Sequence, residues 1–401
     1  MSPSPHTVPS ATPLSPTTAP QPIVWSDPAR EQRFQTWFAS HQAGFSLEPA
    51  TLGLASADAS FRRYFRVHSG RGSLVIMDAP PDKENCKPFV DTAALLNHAG
   101  LRAPKILAWD EADGFMLLTD LGTRTMMQTI NPAKPPLDLY LHAVDTLVQW
   151  QLASAPGVLP AYDEALLRRE LELFPEWYIG RHRQFALDAP MRKTLDDTFA
   201  LLIQNNLSWP SVYVHRDFMP RNLMVPDQHM APTLPAAQGS LPPEGAQPAL
   251  GRPGGGFSTP ATDPRYLGVL DFQDAVYGPI TYDIASLMRD AFLTWEEDFC
   301  LDVTIRYWEK ARKAGLPVGD DFGEFYRGVE WMGLQRHLKI AGIFARLTLR
   351  DSKPKYLADT PRFIDYIRST CSRYIQLKPL LRLVEKVEGI EVPNVFAFGR
   401  S

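Results

Sequence analysis

The stretch from Val214 to Val225 reads Val-His-Arg-Asp-Phe-Met-Pro-Arg-Asn-Leu-Met-Val, and it limits what the chain can be more than any other. Apolar runs enclose a polar centre in which a carboxylate, Asp217, and a carboxamide, Asn222, lie five residues apart. Phosphoryl transfer needs a base to orient the attacking hydroxyl and an oxygen ligand for the metal that neutralises nucleotide phosphates, and this spacing supplies both from one loop. Asp217 is then the base and Asn222 a metal ligand. A second metal ligand should close another buried strand, and the apolar run Leu267-Gly268-Val269-Leu270 leads directly into Asp271. A His-Arg-Asp triplet alone arises by chance as a turn in any long chain. The correctly offset asparagine and the downstream strand-Asp-Phe make chance a poor account.

With the continuation Asp271-Phe-Gln-Asp274-Ala-Val-Tyr-Gly278-Pro279 and Asp283, these stretches resemble the aminoglycoside phosphotransferase-like, or choline-kinase-like, small-molecule kinases. Within that family they are most similar to the branch that phosphorylates the anomeric hydroxyl of amino sugars in bacterial cell-wall recycling. The similarity covers about residues 29 to 395, leaving out one insertion. It implies an α+β, two-lobed protein-kinase-like fold: a small antiparallel-sheet lobe, a mostly helical lobe, and ATP with Mg²⁺ in the cleft. It also implies that Asp283 orients the catalytic loop, where a helix cap is the plainer role. Gln273 stands where kinases carry the glycine of Asp-Phe-Gly.

A net charge of −4 and a pI near 6.2 give no electrostatic reason for a nucleic-acid partner or membrane adhesion. Cys86, Cys300 and Cys371 are too few and too scattered for a disulfide framework or a zinc site, which fits the cytoplasm. No run of about 18 apolar residues suggests a spanning helix. The expected partners are ATP and a small amino sugar, with no obligatory protein partner indicated.

Residues 1–28 carry eight prolines and no charged side chain before Asp27, a composition expected to be disordered. Residues 29–122 read as the nucleotide lobe. A helix around Phe34, Trp37 and Phe38 precedes a strand, a polar turn at Ser56–Ser60 and two further strands up to Asp78. Kinases place a phosphate-binding lysine on the third strand, and here that position is Met77. Arg62, Arg63 or Lys83 is expected to substitute, since guanidinium binds phosphate bidentately. A helix from Pro88 to His98 should pack on the small sheet, and strands at Lys105–Trp109 and Gly114–Leu118 should complete five. The run Leu117 to Gly122 resembles the family hinge, so Leu118 and Asp120 are expected to meet the nucleotide base through backbone groups.

Residues 123–401 read as a helical catalytic and substrate lobe. It is interrupted at 226–264, where nine prolines and six glycines in 39 residues predict a disordered insertion. Helices are expected over Leu166–Tyr178, Ile284–Phe292, Glu296–Ala314, Asp321–Leu349 and Pro361–Glu388. His215 and Arg216 should brace the loop. Between Gln335 and Lys355, His337 or Lys339 and Arg346 or Arg350 fall on successive turns, and Arg346 and Arg350 are the expected substrate ligands for an anionic sugar; a solvated helix face is the plain alternative. Three functions remain open on sequence: an anomeric amino-sugar kinase, an aminoglycoside or choline-type kinase, and a non-catalytic nucleotide-binding scaffold.

Overall fold

The computed structural model describes residues 21–57, 61–70, 72–131, 133–226 and 266–390. Most of the N-terminal tail, the tip of the polar turn after Ala57 and the Pro/Gly-rich insertion lie outside the described residues. The chain divides into two compact units. One holds residues up to Val90 with Pro104–Asp120; the other holds Asp91–Ala103 with everything from Leu121 onward.

In the first unit, helix α1 (Pro28–Phe45) starts where the Asp27 carboxylate accepts the Ala29 amide at 2.9 Å and Pro28 presets the first turn. Its buried face of Phe34, Trp37 and Phe38 meets inward residues that alternate along the strands, Phe65 and Val67, then Ile76, then Phe115 and Leu117. The strands are β1 (Gly53–Ala57), β2 (Arg63–Ser69), β3 (Gly72–Asp78), β4 (Ile106–Asp110) and β5 (Phe115–Thr119). They form the expected five-stranded antiparallel sheet in the order β1-β2-β3-β5-β4.

Helix α2 (Lys87–His98) was expected to pack on that sheet, yet Asp91 onward belongs to the helical unit. The turn after it explains why: Gln149 Nε2 donates to the Ala99 carbonyl at 2.8 Å, and the Val269 amide donates to the Arg102 carbonyl at 2.7 Å. Buried backbone carbonyls need donors, and these lie on helical-unit elements.

The helical unit is built around α9 (Phe322–Leu349), a 28-residue helix capped by Asp321. Two expected helices break at prolines. Leu166–Tyr178 is realised as α5 (Glu164–Leu171) followed by a π-helical segment, Phe174–His182, because Pro175 cannot donate an α-helical hydrogen bond. That segment lies so close to α9 that a Cβ on Gly342 would come within 2.4 Å of the Leu173 backbone. Pro361–Glu388 splits into α10 (Thr360–Arg373) and α11 (Lys378–Glu388), with Pro379 in the first turn of the latter. No described helix is long and apolar enough to cross a membrane.

Candidate active site

Two small antiparallel pairings frame the Asp217 loop. Strand β6 (Ser211–Val214) pairs with β9 (Val276–Pro279), and β7 (Leu223–Met224) pairs with β8 (Gly268–Val269). The residues between β6 and β7 therefore cross beside those between β8 and β9, which brings Asp217, Asn222 and Asp271 together. Asn222 Nδ2 donates to the Asp217 carbonyl at 2.9 Å and to Asp271 Oδ2 at 3.2 Å, while the Leu270 amide donates to the Asn222 carbonyl at 2.9 Å.

The loop is held mostly by backbone groups. Asp283, buried in α7 (Thr281–Met288), accepts the amides of His215 at 2.7 Å and Arg216 at 3.0 Å. Burial pushes its carboxyl up to about 7 against the pull of those two donors. His215 Nε2 faces the Leu270 carbonyl at 3.0 Å, so that nitrogen carries the proton and Nδ1 accepts the Asp217 amide at 3.3 Å. Burial pushes the ring down to about 4, and it is a neutral brace between the two loops.

Arg216 takes a left-handed backbone, φ 75°, rare for a side chain of its size. Arg336 donates to its carbonyl at 2.5 Å, and its own guanidinium pairs with Glu170. Glu170, on α5 and 4% exposed, also accepts Tyr162, Gln335 at 3.0 Å and Lys339 at 3.0 Å. Burial alone would raise this carboxyl, but Lys339 and Arg216 hold it at about 2. The same carboxylate keeps the buried Lys339 ammonium charged.

Asp271 is the other left-handed residue of the site, φ 63°, and Gln273 Nε2 donates to its Oδ1 at 3.0 Å. The departure from glycine at position 273 thus has a physical reason: the backbone reversal falls at Asp271, and the glutamine side chain steadies the carboxylate. Asn222 Oδ1 receives no donor among the described residues, and beside Asp271 it completes a pair of hard oxygen donors. Such a pair suits a cation like Mg²⁺, which keeps several waters and phosphate oxygens. No group of three or more His, Cys, Asp or Glu side chains clusters as a metal cage among the described residues.

The cationic expectations fare unevenly. Arg63 lies on the α1 face, where its guanidinium is shared with Asp78, donates to the Val24 carbonyl at 2.9 Å and stacks 4.1 Å from the Trp25 ring centre. It is scaffold, and the assignment of phosphate binding to it is corrected. Arg62 pairs with Glu84 at 3.1 Å. Arg66, which the sequence reading passed over, is on the opposite face from Arg63 and pairs with Asp120 at 2.6 Å, where Ser73 also donates at 2.6 Å. Asp120 is accordingly held just past β5. Leu118 registers with Val75 on one side and Ile106 on the other, inside both ladders.

On α9, His337 turns away from Lys339, donating to the Arg289 carbonyl at 3.1 Å and stacking on Tyr366. Arg350 is exposed and bonds its neighbour Asp351 at 2.7 and 3.0 Å, so its charge is already answered; Arg346 is half-buried on the same helix end.

A fold of this kind, with this loop, defines a class, and comparison with known proteins bears it out. The model of the phosphotransferase enzyme family matches residues 51–231 and 257–322, and the chain belongs to that family. The N-acetylmuramate/N-acetylglucosamine kinase of Pseudomonas aeruginosa is 42% identical over 374 residues, which is 91% of this chain and 99% of that protein. The Neisseria meningitidis protein of the same name is also 42% identical, over 92% of this chain and 99% of its own length. Among solved structures, a putative aminoglycoside phosphotransferase from Ralstonia eutropha superposes with a TM-score of 0.53 at 14% identity, covering 89% of this chain and 98% of that one, which speaks for the fold.

Proposed function

We propose that this chain is an ATP-dependent kinase that phosphorylates the anomeric hydroxyl of N-acetylmuramate and N-acetylglucosamine. The observation that carries the proposal is the Asn222 carboxamide, joined to both the Asp217 backbone and the Asp271 carboxylate. It fixes base and cation ligands in one unit, as phosphoryl transfer requires. The curated relatives at 42% identity support this choice of sugars.

Asp217 accepts the proton of the anomeric hydroxyl as its oxygen bonds to the γ-phosphorus and the bond to the bridging oxygen breaks, leaving ADP and a sugar 1-phosphate. Asn222 and Asp271 would hold Mg²⁺, which neutralises phosphate charge. Asp283, His215 and Arg336 fix the loop through its backbone, so the base does not have to be ordered in each turnover. Arg62, paired with Glu84 at 3.1 Å, and the backbone at Leu118 and Asp120 remain the proposed nucleotide contacts.

The test is incubation of the protein with ATP, Mg²⁺ and each sugar, with the product read by phosphorus NMR. A 1-phosphate is expected, and a 6-phosphate would refute the anomeric assignment. Asp217→Asn should retain its thermal melt while losing at least about a hundredfold in kcat, since an amide cannot take the proton. Near-normal turnover would remove Asp217 from its role.

A further inference from the structure

The cations around the catalytic loop are almost all committed. Arg216 and Lys339 share Glu170, and Arg336 serves the Arg216 carbonyl while its guanidinium lies 4.7 Å from the Tyr282 ring centre. Arg221 differs. It sits on the one-turn helix Pro220–Asn222, immediately before the cation ligand and four residues after the base; it is exposed, and no carboxylate among the described residues pairs with it. Its guanidinium carbon stands 4.8 Å from the ring centre of Phe292. A guanidinium laid on an aromatic face keeps its edge N–H groups free for a planar anion.

That floor is fixed. Asp290 accepts the amides of Phe292 and Leu293, and Phe344 packs on Phe292 at 6.0 Å, meeting Tyr356 at 5.0 Å and Phe363 at 5.1 Å behind it. The cation thus rests on a fixed ring, and it borders an aromatic surface of the kind that carries the apolar face of a sugar.

We propose that Arg221 reads the carboxylate of the anionic substrate, a specificity role that rests on the amino-sugar kinase reading. In N-acetylmuramate the lactyl ether is two carbons round the ring from the anomeric carbon, so the groups that meet the carboxylate and the reacting hydroxyl must be neighbours. Asp217 and Arg221 lie four residues apart on one loop, whereas Arg350, further along the chain, is bonded to Asp351. N-acetylglucosamine lacks the carboxylate and does not call on the guanidinium.

The full chain and its Arg221→Gln, Arg221→Lys and Arg346→Gln variants should be compared on N-acetylmuramate, its neutral methyl ester and N-acetylglucosamine, with KM for ATP measured alongside. In Arg221→Gln, the ratio of kcat/KM for N-acetylmuramate over N-acetylglucosamine should fall about tenfold or more, chiefly through KM, with partial recovery in the lysine variant. The methyl ester should show no such discrimination. Equal losses on both sugars, a raised KM for ATP that accounts for the loss, or the shift appearing in Arg346→Gln instead would each overturn the assignment. Should Arg221→Gln melt early, the lysine variant and direct calorimetric titration of N-acetylmuramate decide the matter. A wild-type protein that phosphorylates neither sugar overturns the underlying kinase reading, and this assignment with it.

Discussion

Each unit contains one buried carboxylate clamped by two cations, and the two clamps serve different ends. In the sheet unit, Asp78 accepts Arg30 Nε at 2.8 Å and Arg63 Nε at 2.9 Å; Arg30 continues to the Asp113 carbonyl and Arg63 to the Val24 carbonyl. Every ligand in that chain of contacts is scaffold. In the helical unit, Glu170 holds Lys339 and Arg216, and Arg216 is the residue next to Asp217, the proposed base. The chemistry is alike, but only the second clamp ends on a strained backbone whose position sets Asp217. A buried ion pair is thus no sign of function until its far end has been traced.

The largest effects should be on stability and should not distinguish the clamps. Asp78→Ala strands the buried Arg30, and Glu170→Ala strands the buried Lys339; each is expected to cost about 3–5 kcal/mol in denaturant unfolding, because an unpaired buried charge is the costly product. A loss below about 1 kcal/mol in either would mean that water reaches the stranded cation. The isosteric amides separate the clamps. Glu170→Gln should lower kcat about tenfold to a hundredfold with KM for ATP little changed, since Arg216 loses its anchor and the base its placement. Asp78→Asn should leave kcat of the folded protein near wild type. Equal kinetic losses in the two variants would erase the distinction.

The sheet, its five antiparallel strands and the loop triad were legible because each rests on local signals: alternation, turn residues and short-range spacing of Asp217, Asn222 and Asp271. Glu170 was not. It sits in Glu164-Ala-Leu-Leu-Arg-Arg-Glu170-Leu-Glu172, which reads as a solvated charged helix, and nothing local separates Glu170, 4% exposed, from Glu172, whose side chain is 35% exposed. The partners that decide the matter, Arg216, Gln335 and Lys339, lie 46 to 169 positions away. Arg63 failed in the opposite direction. Its nearness to the polar turn suggested phosphate, and only the strand register, Arg63 opposite Asp78, shows that it faces α1. Pro175 and Pro379 stand in plain view in the sequence, but a helical apolar stripe continues across both and hides the two breaks.

The smallest expected effect concerns a buried group on α9 that stays neutral. His337 donates to the Arg289 carbonyl at 3.1 Å and stacks on Tyr366 with ring centres 4.5 Å apart. Burial, with Arg289 and Arg336 nearby, pushes it down to about 3. Its folded pKa lies below the unfolded value near 6.5, so in acid the unfolded chain takes up a proton that the folded chain refuses. The stability His337 contributes is therefore complete above pH 6.5 and is lost progressively as pH falls toward 3. His337→Gln keeps a donor but cannot titrate. At pH 7.5 the variant should be less stable than wild type by about 1–2 kcal/mol, from the lost stacking and packing. That gap should close by about 1.4 kcal/mol for each pH unit below 6.5. Denaturant midpoints at pH 7.5, 6.5 and 5.5, measured for both proteins, read the slope as a difference, so carboxylates such as Asp290, pushed up by burial to about 6 and titrating with the opposite sign, cancel. Parallel curves would mean that His337 gains its proton in the folded chain as readily as in the unfolded one. The contrast would then move from charged against neutral burial to how far water penetrates α9, where Lys339 relies on Glu170 and His337 has only a carbonyl and a ring.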